Sequence, residues 1–413
     1  MLRVLSLDGA TVAALPCSAA SPKKGHELRT EVRRMRGESR WEAFDLVFQG
    51  RLLPDSGVID SGDLEVFAVW RPHPKVLTSS GERVTIFDYS GEEIHQIGPI
   101  RLGASSWSVP FFSADGGLFM ALKADGRCMV YETDTGLELC SFSAAPRQAP
   151  IAAFSLHGLV ALPAAGRSGA AQIFRARTGE HVSLCSGFAA STAPARKCIF
   201  SPDGTELLKI SQDGFAALFV AETGQQLVQM DEVGKWNGCA QFFPSGKTVL
   251  TTLRDGTARL FDAATGRVTQ TLRATAPVAD AVLAPTERSL LLVLTDCTGR
   301  LYHKEEGQFV ASRSLSALGF YISPYPVAFS SDGGRILLAL DTCDVKILDA
   351  ETGEAICECR GGKHHITSAA FSPDGSRVLV SYYHSVAKIF DASDGHCMVE
   401  LPHSDRVLGA CFS

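Results

Sequence analysis

The side chains that could do chemistry are scattered in a way that argues against a catalytic constellation. Gly103-Ala104-Ser105-Ser106 puts serines beside small residues. A hydrolase nucleophile needs the strand–GxSxG–helix context, which is missing here. Neither a GxxxxGK[ST] phosphate loop nor a dinucleotide fingerprint opening a helix occurs. His364 and His365 are the only adjacent histidines. Neighbours on a strand point to opposite faces, so a shared metal is disfavoured and a surface loop is expected. The chain has 12 cysteines and no CxxC pair. Cys357-Glu358-Cys359 would point the same way on a strand, yet no second ligand pair stands at zinc spacing. The Asp-Gly pairs mark tight turns, because glycine accepts positive φ; they are not paired carboxylates for acid–base work. The sequence therefore leads us to expect no enzyme, no metal and no cofactor.

The elements that carry these residues are mainly β. With 413 residues, 45% of them hydrophobic and 20% charged, the chain can bury a large core. The net charge of -6 favours no partner by itself. The scattered cysteines read as reduced, mostly buried thiols of a cytoplasmic or nuclear protein. No apolar run is long enough for a membrane span. The opening segment carries Asp8 inside its apolar stretch and only Arg3 as a basic lead, which does not read as a signal peptide.

Residues 1–70 stand apart from the rest. Met1–Leu7 and Thr11–Leu15 read as strands around the turn Asp8-Gly9. Over 22–37 the period changes: Leu28, Val32 and Met35 fall on one helical face, with Arg29, Arg33, Arg34 and Arg36 around it. Arginine stems on such a helix cover apolar surface while the heads stay solvated, so nucleic-acid binding is not expected. Leu46-Val47-Phe48, the turn Gln49-Gly50 and a strand over Leu64–Trp70 follow. The order, with LVFQGRLL (46–53) and IDSGDLEVFAV (59–69), resembles the ubiquitin-like β-grasp, a small α+β domain. The resemblance implies that Val47 and Phe67 fall on the family's exposed apolar recognition patch. The chain runs on through Trp70-Arg71-Pro72 without a terminal Gly-Gly, as in an integral domain and not a conjugated tag.

After a linker at 71–74, one module recurs across 75–413. Its third-strand anchor is Phe87, Tyr131, Phe174, Phe219, Phe261, Tyr302, Leu348 and Phe390, spaced 41 to 46 residues apart. A glycine follows each anchor within five residues. A first-strand ruler ends at Phe112, Phe154, Phe200, Phe243, Leu283, Phe329, Phe371 and Phe412. A period near 43 residues with four strands per unit is the signature of a β-propeller. FSPDG (200–204 and 371–375) and LFDAATG (260–266) resemble the WD40 repeat. Phe, Tyr or Leu replaces the eponymous tryptophan in every copy, and only His403 stands where the family's histidine belongs. The first module lacks a first strand and the chain ends in a spare one, DRVLGACFS. We therefore expect eight blades, with Val407–Phe412 closing onto the first. The alternative is seven blades and an irregular insertion, because SLHG (155–158) and APTE (284–287) are poor copies of the turn.

The WD40 resemblance implies that inter-blade loops share one face with the strand two–three loops. The inter-blade loops hold Trp107, Arg147, Arg196, Lys235, Trp236, Arg273, Tyr325, Lys363, His364 and Arg406. The opposite turns carry Glu132, Asp134, Glu222, Glu305, Glu306, Glu351 and Asp394. The expectation is a polarised ring whose basic, aromatic-bearing face docks an acidic or phosphorylated protein segment, as a monomer or as a subunit of a larger assembly. Two other readings compete with this one. One is a propeller enzyme with a site in the central channel; against it, the inner strands end ACFS, CIFS, AAFS and AQFF, apolar or small. The other is a purely structural subunit.

Overall fold

In the computed structural model the chain divides into two compact units, Met1–Lys75 and Val76–Ser413. The structure describes the strands of the first unit and, from residue 75 on, everything except 81–82, 99–109, 124–126, 144–152, 165–168, 187–194, 212, 231–235, 254, 316–326, 341, 362–363 and 384–385. The 71–74 linker lies outside the described residues. The described strands of the first unit are Leu2–Leu5, Thr11–Leu15, Lys23–Lys24, Phe44–Phe48, Arg51–Leu52, Val58–Ile59 and Glu65–Trp70. Lys23–Lys24 pairs with Val58–Ile59 as a short ribbon, where a helical start had been expected; residues 25–43 lie outside the described ones.

The second unit is a ring of eight four-stranded antiparallel sheets, an eight-bladed β-propeller. Blade 1 joins 75–97 to 407–412, and blades 2 to 8 occupy 111–143, 153–185, 195–229, 236–273, 278–315, 327–359 and 366–402. The seven-blade alternative is excluded by the eight four-stranded sheets; APTE closes the same turn as the better copies, and SLHG a turn one residue shorter. Ser155 N donates to Leu159 O at 2.9 Å and Ala284 N to Ser289 O at 2.8 Å, as Ser201 N does to Glu206 O at 2.9 Å. Glu287 takes the left-handed position that glycine fills elsewhere, with φ 58°.

Each blade runs first strand to fourth from the axis outward, and position in the blade sets composition. Second and third strands have a neighbouring blade on each face, so they read as continuous apolar runs instead of alternating ones. Ser289–Leu294, SLLLVL, is buried throughout. Fourth strands face solvent, as in Glu93–Ile97. The third-strand anchors turn toward the preceding blade: Phe261 of blade 5 is fully buried against Leu208, Ile210, Leu218 and Met230 of blade 4. Opposite each anchor the fourth strand carries one extra residue, for example Thr269 between the partners of Leu260 and Phe261. Such a bulge sharpens the local twist and blunts the open edge. It also accounts for several exposed apolar residues, among them Ile94, Leu227, Ile356 and Met398.

Two features went unread in the sequence. Phe242, not Phe243, ends the first strand of blade 5. Phe243 occupies the turn position of Ser201, with its N–H on Thr248 O at 2.8 Å. Lys209 of blade 4 is fully buried. Its Nζ donates to the carbonyls of Cys185 and Ser186 at the end of blade 3 and lies 4.5 Å from the centroid of Phe219. Burial drags this amine down to about 8.

Ring closure is made by the expected strand, Val407–Phe412, against Lys75–Ser80. Val407 pairs with Ser80 and Phe412 with Val76, with a bulge after Val407. His403, just before this strand, meets Phe87 edge-on at 5.6 Å. Its Nε2 is buried without a hydrogen-bond partner, and burial pushes the imidazole down to about 4.

Candidate docking face

In a four-stranded antiparallel meander the second-to-third turn and the exit of the fourth strand lie at the same end. That end gathers the residues expected to dock a partner. Of these, Arg273, His364 and Arg406 have described side chains, and all three are exposed. Arg196 and Trp236 stand inside the first strands of blades 4 and 5, not in the loops. Trp107, Arg147, Lys235, Tyr325 and Lys363 lie outside the described residues. In the first unit Val47 and Phe67 are backbone partners in the register of adjacent antiparallel strands.

The structure brings one group together at blade 8. Arg406 Nη1 donates to the Tyr383 hydroxyl at 2.8 Å, and the guanidinium carbon lies 5.0 Å from the ring centroid. Tyr383 N donates to His365 O at 2.9 Å, which ties the turn to the exposed pair His364-His365. Arg406 N donates to Asp405 Oδ1 at 2.7 Å. A guanidinium anchored over a ring by one hydroxyl bond keeps its other donors for a carboxylate or phosphate while losing little further side-chain entropy. Tyr383 escaped the sequence reading because it occupies a turn that in blades 2, 4 and 5 carries Asp-Gly. That substitution was the available signal.

The end is not basic all round, contrary to expectation. Asp213, Asp255, Asp296 and Asp344 stand on its second-to-third turns in blades 4 to 7. Counting only the inter-blade loops missed them. Several are occupied within their own turns: Asp255 accepts from Thr257 N at 3.0 Å and Oγ1 at 2.6 Å, and Asp296 from Thr298 in the same way. At the opposite end the acidic turns are partly offset by Arg175 and Arg177, which pair with Glu222 at 3.5 Å and Glu132 at 3.6 Å.

The channel wall also corrects the sequence reading, since it is not apolar or small throughout. Lys197, Cys239, Asp280 and Ser368 occupy one level of the first strands of blades 4, 5, 6 and 8. They act as latches between neighbours. Lys197 Nζ donates to Ala240 O at 3.0 Å, Cys239 Sγ to Ala281 O at 3.3 Å and Ser368 Oγ to Ala410 O at 3.0 Å. Burial raises the Asp280 carboxyl, against the opposing pull of Ala281 N–H, the Cys239 thiol and Lys197. Burial likewise pushes the Cys239 thiol up to about 12, far from a thiolate nucleophile. Among the described residues no three His, Cys, Asp or Glu side chains converge as metal ligands.

The remaining Asp-Gly and Ser-x-Asp-Gly carboxylates cap turns. Asp203 accepts from Ser201 Oγ at 2.5 Å and Thr205 N at 3.1 Å, and those bonds hold its carboxyl below the usual range. No protein family's sequence profile matches the chain, and no curated protein matches it either.

Proposed function

We propose that this chain is a non-enzymatic protein-interaction scaffold. Its propeller is of WD40 type and docks an acidic or phosphorylated protein segment on the blade 8 side of the end described above. The observation that carries this reading is the exposed Arg406 guanidinium, held by the half-buried Tyr383 beside the exposed His364 and His365: a pre-ordered cation with donors of the kind that recognise carboxylate and phosphate. The first unit is proposed to be a ubiquitin-like module engaging a second partner. Its strand order supports this: Leu2–Leu5 lies between Thr11–Leu15 and Glu65–Trp70, parallel to the latter, with Phe44–Phe48 beyond. The free cysteines among the described residues favour a reducing compartment, cytoplasm or nucleus. A channel enzyme is the weaker reading, because Lys197 and Asp280 are engaged in inter-blade bonds.

The test is an array of peptides in acidic, phosphorylated, neutral and basic series. The acidic and phosphorylated series should bind best, weaken with salt, and lose binding about tenfold or more with Tyr383→Ala plus Arg406→Glu. Binding with no preference for negative charge, or unchanged in that variant, would overturn the assignment.

A further inference from the structure

The circumference of the ring exposes apolar side chains in a regular series. Among the described residues every blade leaves a large apolar side chain exposed on or beside its fourth strand, including Ile356 in blade 7, Met398 in blade 8, Ile94 in blade 1 and Leu137 in blade 2. From blade 7 to blade 2 these residues are joined, because each third-to-fourth turn is seated on the fourth strand of the blade before. A Cβ on Gly395 of blade 8 would stand 2.5 Å from Glu358 O of blade 7, and one on Gly91 of blade 1 would stand 2.6 Å from Val399 Cγ1 of blade 8. A Cβ on Gly136 of blade 2 would stand 3.3 Å from Ile97 Cδ1 of blade 1, whose His95 ring also bonds the Asp134 carbonyl of blade 2.

Charge divides this circumference in two. From the end of the third strand to the bulge of the fourth, blades 7, 8, 1 and 2 read DAETGEAI (349–356), DASDGHCM (391–398), DYSGEEI (88–94) and ETDTGLEL (132–139). Each stretch holds two or more carboxylates, and none holds lysine or arginine. Glu351, Glu354, Asp394, Glu92, Glu93 and Glu138 are all exposed. The matching stretches elsewhere differ: blade 3 carries Arg175 and Arg177, blade 5 Arg267, and blade 6 sets Lys304 beside Glu305 and Glu306. In blade 4 the one carboxylate, Glu222, is answered by Arg175 at 3.5 Å. The bulge explains how an apolar residue reaches the surface in each blade. It does not explain why carboxylates surround it, clear of cations, on four consecutive blades.

Exposed apolar side chains set among carboxylates are complementary to a segment that carries apolar residues among lysines or arginines. The strip turns through half the circumference, four blades of eight, which an extended chain can follow and a straight helix cannot. Packed sheets lie about 10 Å apart and an extended chain advances about 3.3 Å per residue, so about three or four residues carry it from one blade to the next. We infer that this arc of the rim binds an extended basic segment of another protein, which lays an apolar residue on each blade with lysine or arginine between. The surface lies toward the end of the ring opposite Arg406 and takes the opposite charge, so it stands whether or not Arg406 docks a partner.

The test uses a fluorescein-labelled peptide of four leucines separated by Lys-Pro-Lys triplets, the prolines keeping it extended, titrated against the full chain by fluorescence anisotropy. Saturable binding is expected, about tenfold or more weaker when serine replaces the leucines. Ile356→Ser plus Met398→Ser should weaken binding to a similar extent, whereas Leu227→Ser plus Val268→Ser, on blades 4 and 5, should leave it unchanged. Reversing the exposed Glu351, Glu354, Glu92 and Glu93 to lysine should abolish it. Tyr383→Ala plus Arg406→Glu should leave the affinity unchanged. If a rim variant does not fold, the leucine and serine peptides on the wild-type chain decide in its place. The inference fails if binding is not saturable, if the serine peptide binds as tightly, if the blade 4 and 5 pair weakens binding as much as the blade 7 and 8 pair, or if the folded charge reversal binds as wild type does.

Discussion

The contact between a blade's outer turn and the strand before it can be tested with two alanines. Gly395 of blade 8 has φ 75°, and a Cβ there would stand 2.5 Å from the Glu358 carbonyl oxygen and 2.9 Å from its carbon, both backbone atoms of blade 7. Gly307 of blade 6 has φ 85°, but a Cβ there would meet nothing within 4 Å, because its two-residue turn stands clear of blade 5. Both substitutions place a side chain in the left-handed region, at about 1–2 kcal/mol. Only Gly395→Ala also forces two backbones apart, which adds about 1–3 kcal/mol by the usual scale of overpacking. The expected loss is thus about 1–2 kcal/mol for Gly307→Ala and about 2–5 kcal/mol for Gly395→Ala. Urea unfolding followed by far-UV circular dichroism measures both, and the difference between them isolates the inter-blade contact. Equal losses, or a larger one at Gly307, would refute the claim that blade 8's turn is seated on blade 7's outermost strand.

Phe261→Ala empties a fully buried ring site between blades 4 and 5 and should cost about 3–5 kcal/mol in the same assay; an unchanged midpoint would show that the anchor is not buried. Deleting 404–413 strips the innermost strand from blade 1 and bares the 75–80 edge, so light scattering should report aggregation where the full chain stays clear. His403 titrates at about 4 in the fold against 6.5 in the open chain, so the fold favours its neutral form. That contribution is complete above pH 6.5 and is lost as pH falls from 6.5 through 4, up to about 3 kcal/mol in all. His403→Phe should flatten the stability curve across that window, and curves that stay parallel from pH 7 to 4 would discount it.

The repeat was legible because burial on both faces forces an anchor and a turn at fixed spacing, and those signals survive even where the turn is SLHG or APTE. Closure was legible for the same reason: VLGACF completes a period that the first module leaves open. What escaped were features that depend on neighbours distant in sequence. Phe242-Phe243 offers two rings for one position, and only the turn's hydrogen bonds show which ends the strand. Lys209 in ELLKIS reads as the solvated side of a strand, and only the carbonyls of the preceding blade explain its burial. The docking end was misjudged by reading one set of loops and not the turns folded beside them. Tyr383, contributed by such a turn, was overlooked for that reason, although its partner Arg406 was found.

The seam at blade 1 has a geometric consequence. The eight rotations from blade to blade must add to one full turn before Val407–Phe412 can reach 75–80. Any angle gained or lost at one interface must be absorbed by the other seven or appear as a mismatch at the seam. The leucine anchor between blades 6 and 7 is a local departure of this kind, since the other seven blades place Phe or Tyr there. The seam therefore registers the summed fit of the whole ring, and strain introduced far around the circumference should loosen the closing strand first.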